Sequence, residues 1–301
     1  MKKILCVFLV LCVLFLNACT GDAPQQKSKI TVATSFYPVY IFTLNLLNGI
    51  DEIEVACMAE QSVGCLHDYT LTAKDSKLLS DAKVLVINGA GMEGFIQDAL
   101  QSVENLKVID SSDNIELICT EEHHHEEEHN HHHENSHIWL SVGNAKKQVE
   151  NIKNGLVKEF PAYRETIEEN YSDYIKRLST LETERETVLS VAKELEVISF
   201  HGAFEYLAED LGIHISATIE SDEGYEPSAK ELAGISDKMK NDNIKALFVA
   251  PDYSGSSAEI LGRETNAEIY VLNPIISGEE KLTAYEDTMN ENYKIILKAV
   301  K

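Results

Sequence analysis

The sequence predicts an α/β protein of two lobes, each a roughly four-stranded parallel sheet with flanking helices, joined by one long rigid helix. Three observations carry this. Eight short apolar runs of strand type fall into two series of four, with helix-like segments between successive runs, which is the alternation of parallel βα units. Between the two series, residues 144–192 show helical periodicity and no strand run. The chain has 301 residues, 44% of them hydrophobic, enough for two domains at about 100 to 200 residues each.

The elements follow in order. Residues 1–19 read as a targeting segment to be excluded from the fold: a basic start at Lys2 and Lys3, an apolar run from Ile4 to Leu16, then LNAC ending at Cys19. The run is shorter than the stretch of about 20 residues that spans a bilayer. A small residue directly before a cysteine is similar to the bacterial lipoprotein signal, which implies a lipid on Cys19 after cleavage. Residues 20–28 are then a polar tether. The N-terminal lobe is expected over 29–143, with strands ITVAT (30–34), IEVAC (53–57), KVLVIN (83–88) and LKVID (106–110). Helix signals lie at Asp75 ahead of SKLLSDA and from Gly91 in GMEGFIQDAL.

The linker 144–192 is interrupted by Pro161. Beyond it, Ile167, Tyr171, Tyr174, Ile175, Leu178, Leu181, Val188 and Val191 recur at steps of three and four among charged residues, one amphipathic helix of about 45 Å if it runs from Ala162 to Ala192. The C-terminal lobe, 193–301, has strands LEVISF (195–200), IHISATI (213–219), KALFVA (245–250) and AEIYVL (267–272). Ligands of such sheets favour the carboxyl ends of the strands, so the cleft between lobes is the expected site.

Fifty acidic residues against 26 basic ones leave a formal charge of −24. That balance excludes gripping nucleic acid or an anionic membrane by the general surface and favours cationic partners. Export permits disulfides, and Cys57, Cys65 and Cys119 remain beyond the targeting segment. Cys57 and Cys65 could bridge a short loop and stiffen the segment carrying His67; a free cysteine at either position is the open alternative.

Seven of the eleven histidines lie in EEHHHEEEHNHHHE at 121–134: His123, His124, His125, His129, His131, His132 and His133. With no apolar residue to bury, this segment is expected to be a solvated, mobile loop. Its interleaved imidazoles and carboxylates suit loose, auxiliary capture of transition metals. Three isolated histidines stand near strand-to-helix junctions: His67 in GCLHDYT, His137 in NSHIWLS and His201 in FHGAFEYL. From two lobes they could converge on one ion in the cleft. His214, inside a strand and on no motif, reads as an ordinary surface or core histidine.

Together these segments resemble the zinc and manganese solute-binding lipoproteins of ABC importers, the zinc-uptake and adhesin-type metal-binding group. The resemblance runs through TSFYPVY (34–40), HDYT, LTAKDSKLLSDAKVLVINGAGMEGF, HIWLS, FHGAFEYLAEDLGI, EPSAKEL (226–232), NPIISG and the final AYEDTMNENYKIILKAV. It implies two α/β lobes around a rigid helix, with metal held in the cleft by His67, His137 and His201. It also implies an extracytoplasmic, membrane-anchored monomer, on a cell surface or in a periplasm, that delivers its ion to an ABC permease with its ATPase and catalyses nothing. The His/Glu loop is similar to that of zinc-specific members.

The pattern thins at the fourth ligand, where Asn273, Pro274, Ile275 and Ile276 stand in place of a carboxylate and Leu66 precedes the first histidine. Water, Glu220, Asp252 or the loop's own side chains are the candidates. Three nitrogen donors suit tetrahedral zinc better than manganese, which favours oxygen-rich sites; copper and nickel remain chemically open. Two other readings stay in view, an extracellular metal buffer or adhesin and a zinc hydrolase.

Overall fold

The computed structural model describes residues 29–59, 69–101, 103–120, 133–219, 227–251, 253 and 255–301. Strand β1 (Ile30–Thr34) leads into helix α1 (Tyr37–Leu47), then β2 (Ile53–Cys57), α2 (Ala73–Asp81), β3 (Val84–Ile87), a short helix α3 (Gln97–Leu100) and β4 (Lys107–Asp110). A two-stranded ribbon follows, β5 (Cys119–Thr120) with β6 (His133–Glu134), and then α4 (Val142–Glu159) and α5 (Arg164–Ala192). The second half runs β7 (Glu196–Ser199), α6 (Glu205–Leu211), β8 (His214–Thr218), α7 (Ala229–Asp242), β9 (Ala246–Val249), α8 (Ser257–Thr265), β10 (Glu268–Val271) and α9 (Ala284–Ala299).

All eight expected strands are present, in two parallel four-stranded sheets of order β2-β1-β3-β4 and β10-β9-β7-β8. Each sheet therefore has the order second-first-third-fourth in its own half of the chain. Of the central strands β3 and β9 are apolar throughout, as strands covered on both faces are: Val84, Leu85 and Val86 in β3, and Ala246 to Val249 in β9, are all buried.

Helix α2 starts two residues earlier than the Asp75 signal. Thr72 is its cap, and Asp75 closes a reciprocal capping box, accepting from the Thr72 amide at 2.8 Å while its own amide donates to Thr72 Oγ1 at 3.2 Å. The expected helix from Gly91 is largely absent. The chain turns through positive φ at Gly89, Ala90 and Gly91, makes one tight turn at Gly94–Ile96 and only then enters α3. Gly89 is obligatory in that turn, since a Cβ there would lie 1.9 Å from Asp110 Oδ1.

The linker breaks where Pro161 forbids continuation. Helix α4 ends at Glu159, a short turn spans Pro161–Tyr163, and α5 then runs unbroken for 29 residues, about 43 Å. Its buried stripe is Ile167, Tyr174, Leu178, Leu181, Val188 and Ala192, packed against α1, α4, α6 and α9 of both lobes. The expected Val191 is 47% exposed; the stripe steps from Val188 by four to Ala192, which leaves Val191 on the neighbouring face.

Buried and partly buried hydrogen bonds tie the lobes. Trp139 Nε1 donates to the Pro274 carbonyl at 2.8 Å, the Tyr285 hydroxyl to the Trp139 carbonyl at 2.7 Å, the Tyr37 hydroxyl to the Glu279 carbonyl at 2.6 Å, and Asn45 Nδ2 to the Leu282 carbonyl at 2.9 Å. Among the described residues no helix is long and apolar enough to cross a membrane.

Candidate metal centre

Two of the three isolated histidines are described, and they face each other across the lobes. The His137 and His201 ring centroids are 5.2 Å apart, with the ring planes at 87°. Two imidazoles on one tetrahedral zinc have nitrogens at about 2.0 to 2.1 Å from the ion and ring centres about 3.2 Å from it, so their centres lie about 5.2 Å apart. The pair is already at that spacing.

Each ring is held from below by its own local structure. His137 follows β6 and begins the turn Ile138–Leu140; it is 6% exposed and lies against the indole of Trp139, with centroids 5.2 Å apart. Trp139 is fully buried, edge-on to Phe36 at 4.9 Å. The turn is fixed where α4 begins. Ser141 Oγ caps the Asn144 amide, and Asp210 of α6 accepts both from Ser141 Oγ and from the Val142 amide, each at 3.0 Å. His201 lies two residues beyond β7 and caps the turn Gly202–Phe204, its Nδ1 accepting from the Ala203 amide at 2.9 Å.

The tautomers follow from these partners. Asn135 Oδ1 accepts the His137 backbone amide at 2.9 Å, so the oxygen faces the ring, and the ring nitrogen Nδ1, also at 2.9 Å, must be the donor. A neutral His137 therefore has its lone pair on Nε2. In His201 the Ala203 amide can only donate, so Nδ1 holds the lone pair and the proton of the neutral ring sits on Nε2. The two rings are set in opposite senses.

The remaining predicted positions lie mostly outside the described residues: His67, Cys65, Cys19, Glu220, Asp252, and His123, His124, His125, His129, His131 and His132 of the loop. His133 and Glu134 correct the expected loop boundary, because they form β6 in antiparallel register with Thr120 and Cys119. His214 opens β8 with its side chain 73% exposed, an ordinary surface histidine. Among the described residues no three His, Cys, Asp or Glu side chains form a metal cage, so the described share of the centre is the imidazole pair.

Three further groups escaped sequence reasoning. Asn135 is buried and carries the bonds above; its signal was an Asx residue two before His137, the spacing at which such side chains bond the backbone. Glu205, in the first turn after HGAF, receives Asn135 Nδ2 at 2.9 Å, and burial pushes its carboxyl above the usual carboxylate range. Glu93, almost wholly buried, accepts from the Ser35 hydroxyl at 2.7 Å and from the Asn88 and Gly89 amides at 2.7 and 3.0 Å, yet burial raises it to about 7. Asn88 Nδ2 in turn donates to the Ser136 carbonyl, next to His137, at 2.9 Å.

With this geometry in hand, known proteins give it a family. Residues 32–299 match the family model described as ZnuA, zinc-uptake complex component A periplasmic. The zinc-binding lipoprotein AdcA of Streptococcus pneumoniae is 33% identical over 300 residues, 97% of this chain but 58% of that protein, so the chain spans little more than half of that relative's length. The Zn(II)-bound crystal structure of AdcA superposes with a TM-score of 0.76 at 29% identity, over 90% of this chain and 58% of that one. The high-affinity zinc uptake system protein ZnuA of Bacillus subtilis is 33% identical over 297 residues, 93% of this chain and 92% of its own. The solute-binding protein FpvC of Pseudomonas aeruginosa, in complex with Mn2+, superposes with a TM-score of 0.79 at 26% identity over 90% of this chain and 98% of that one. Two parallel-sheet lobes around a long helix, with an imidazole from each lobe at the cleft, are accordingly those of the ZnuA family of zinc-uptake solute-binding proteins, to which this chain belongs.

Proposed function

We propose that the protein captures zinc outside the cytoplasm and hands it to an ABC permease and its ATPase, held at the membrane by a lipid on Cys19. The ion is cargo, bound by His67, His137 and His201, with water or a carboxylate such as Glu220 or Asp252 as fourth ligand. The observation that carries this reading is the imidazole pair, drawn from two lobes and spaced at 5.2 Å as one tetrahedral ion requires. Nitrogen donors favour zinc over manganese. The names of the AdcA and ZnuA relatives support zinc, while the Mn2+ complex of FpvC is a reminder that the fold by itself does not choose the ion. The His/Glu segment is assigned auxiliary collection of the ion, and the chain is a carrier rather than an enzyme.

Native mass spectrometry with competing zinc and manganese tests this on three forms: the intact chain, one lacking residues 121–132, and one with His67, His137 and His201 changed to Ala. The loop deletion should keep one tight, zinc-preferring site and the triple variant should lose it. Retention of the tight site by the triple variant would overturn the ligand assignment.

A further inference from the structure

We propose that Asn135 is the positioning residue of the centre: it locks the His137 proton on Nδ1, so that Nε2 is presented to the ion, and it ties that ring to the turn carrying His201. This rests on His137 being a ligand. Every polar atom of Asn135 is engaged. Its amide donates to the Ile118 carbonyl at 2.8 Å, and its carbonyl accepts the Tyr206 hydroxyl at 2.8 Å, which itself accepts the Ile118 amide at 3.0 Å. Its Oδ1 takes the His137 amide and ring, and its Nδ2 donates to the Gly202 carbonyl at 2.8 Å and to Glu205 Oε2 at 2.9 Å.

The orientation of the carboxamide is therefore fixed from both sides. A backbone amide can only donate and a backbone carbonyl can only accept, so oxygen faces His137 and nitrogen faces Gly202. An imidazole without such a partner is free to hold its proton on either nitrogen; here the choice is made before the ion arrives. Groups behind a metal-ligating histidine that fix its tautomer typically contribute about 10- to 100-fold in affinity. The bond to Gly202 adds a second consequence, because Gly202 directly follows His201. One side chain thus links the carriers of both rings, which keeps their separation at the value a shared ion needs.

The residue type is specific. An aspartate would also accept from the ring, but its second oxygen, when ionised, would face the Gly202 carbonyl and the Glu205 carboxyl at under 3 Å with no proton to donate to either. Only a side chain that accepts on one edge and donates on the other fits, and Glu205 holds it that way.

The test uses the intact metal-free chain. Nitrogen-15 ring spectra of the unaltered protein should show His137 protonated on Nδ1; a ring protonated on Nε2 overturns the proposal with no substitution needed. Asn135→Ala should release that preference and weaken zinc binding, read by chelator competition, by about 10- to 100-fold. Asn135→Asp should weaken it at least as much, and the pair Asn135→Asp with Glu205→Gln should recover part of the loss, since the new amide can donate to the new carboxylate. Affinity within twofold of the parent in folded N135A, or no recovery in the pair, overturns the proposal. His137→Ala is the control: if it binds zinc as the parent does, the ligand assignment fails, whereas if it loses zinc while N135A does not, the positioning role alone fails.

Discussion

Glu93 should contribute stability to the metal-free protein in mild acid that is lost at neutral pH, and Glu93→Gln should remove that contribution. In the folded chain burial pushes this carboxyl from 4.5 up to about 7, against the opposing pull of three hydrogen-bond donors. The folded state keeps the proton to higher pH than the unfolded chain does. The contribution to stability is thus fully present below about 4.5 and is lost as the pH rises through about 7. At about 1.4 kcal/mol per pH unit, the gap between 4.5 and about 7 amounts to about 3 kcal/mol. Other buried carboxyls, Asp210 and Glu205, are shifted the same way, so the parent's profile alone would not isolate Glu93. The difference between parent and variant does, because those groups are common to both. Urea unfolding of the two proteins, followed by circular dichroism in chelator from about pH 5 to about pH 8, should show the variant gaining on the parent by about 2 to 3 kcal/mol across the range. A difference constant to within about 0.5 kcal/mol would refute the reasoning and mean that the donors at Ser35, Asn88 and Gly89 stabilise the carboxylate as well as water does.

Other outcomes follow from the same geometry. His137→Ala and His201→Ala should each lower zinc affinity by more than about 100-fold in chelator competition, beyond what loss of a supporting hydrogen bond does. Zinc loading through His201 Nε2 requires its proton to move to Nδ1, so the Ala203 amide loses its acceptor; its proton resonance should shift and exchange faster on loading, and an unchanged resonance would mean that the ring binds through another atom. Leu178→Ala, in the fully buried stripe of α5, should cost about 2 to 5 kcal/mol by the denaturation midpoint, while Val191→Ala should stay within about 0.5 kcal/mol.

The strands were legible because each is a short run rich in β-branched and apolar residues, continuous where burial is deepest in β3 and β9, and six of the eight are merely shorter at their ends than the runs suggest. Asn88, for one, has left the ladder, its amide donating to Glu93. The ribbon β5–β6 was not legible: two residues per strand carry no alternation to read, and polar His133 and Glu134 looked like more of the loop. The helix after Gly91 failed because three successive positive-φ residues are a property of the turn around Asp110 and Ser112, which no local pattern reveals. In the site, His137 and His201 could be picked out as junction residues, since strand ends are readable. Of Asn135 only the local half was readable, the Asx spacing before His137; its bonds to Gly202 and Glu205 cross 67 and 70 residues of sequence. Its importance comes from the fold that brings those atoms together.

The hydrogen bonds from Trp139, Tyr285, Tyr37 and Asn45 across the lobes have a thermodynamic consequence. A receptor that closes on its ligand removes apolar surface from water and shows a large negative heat capacity of binding. Here the lobes are already joined through these bonds, so coordination of an ion need not draw them together, and its heat capacity signature should be small. Little of the binding free energy is then consumed in organising the frame, and most is left to hold the ion. The membrane partner proposed above would consequently be left to sense ångström-scale changes at the rim of the cleft, not a change in the outline of the molecule.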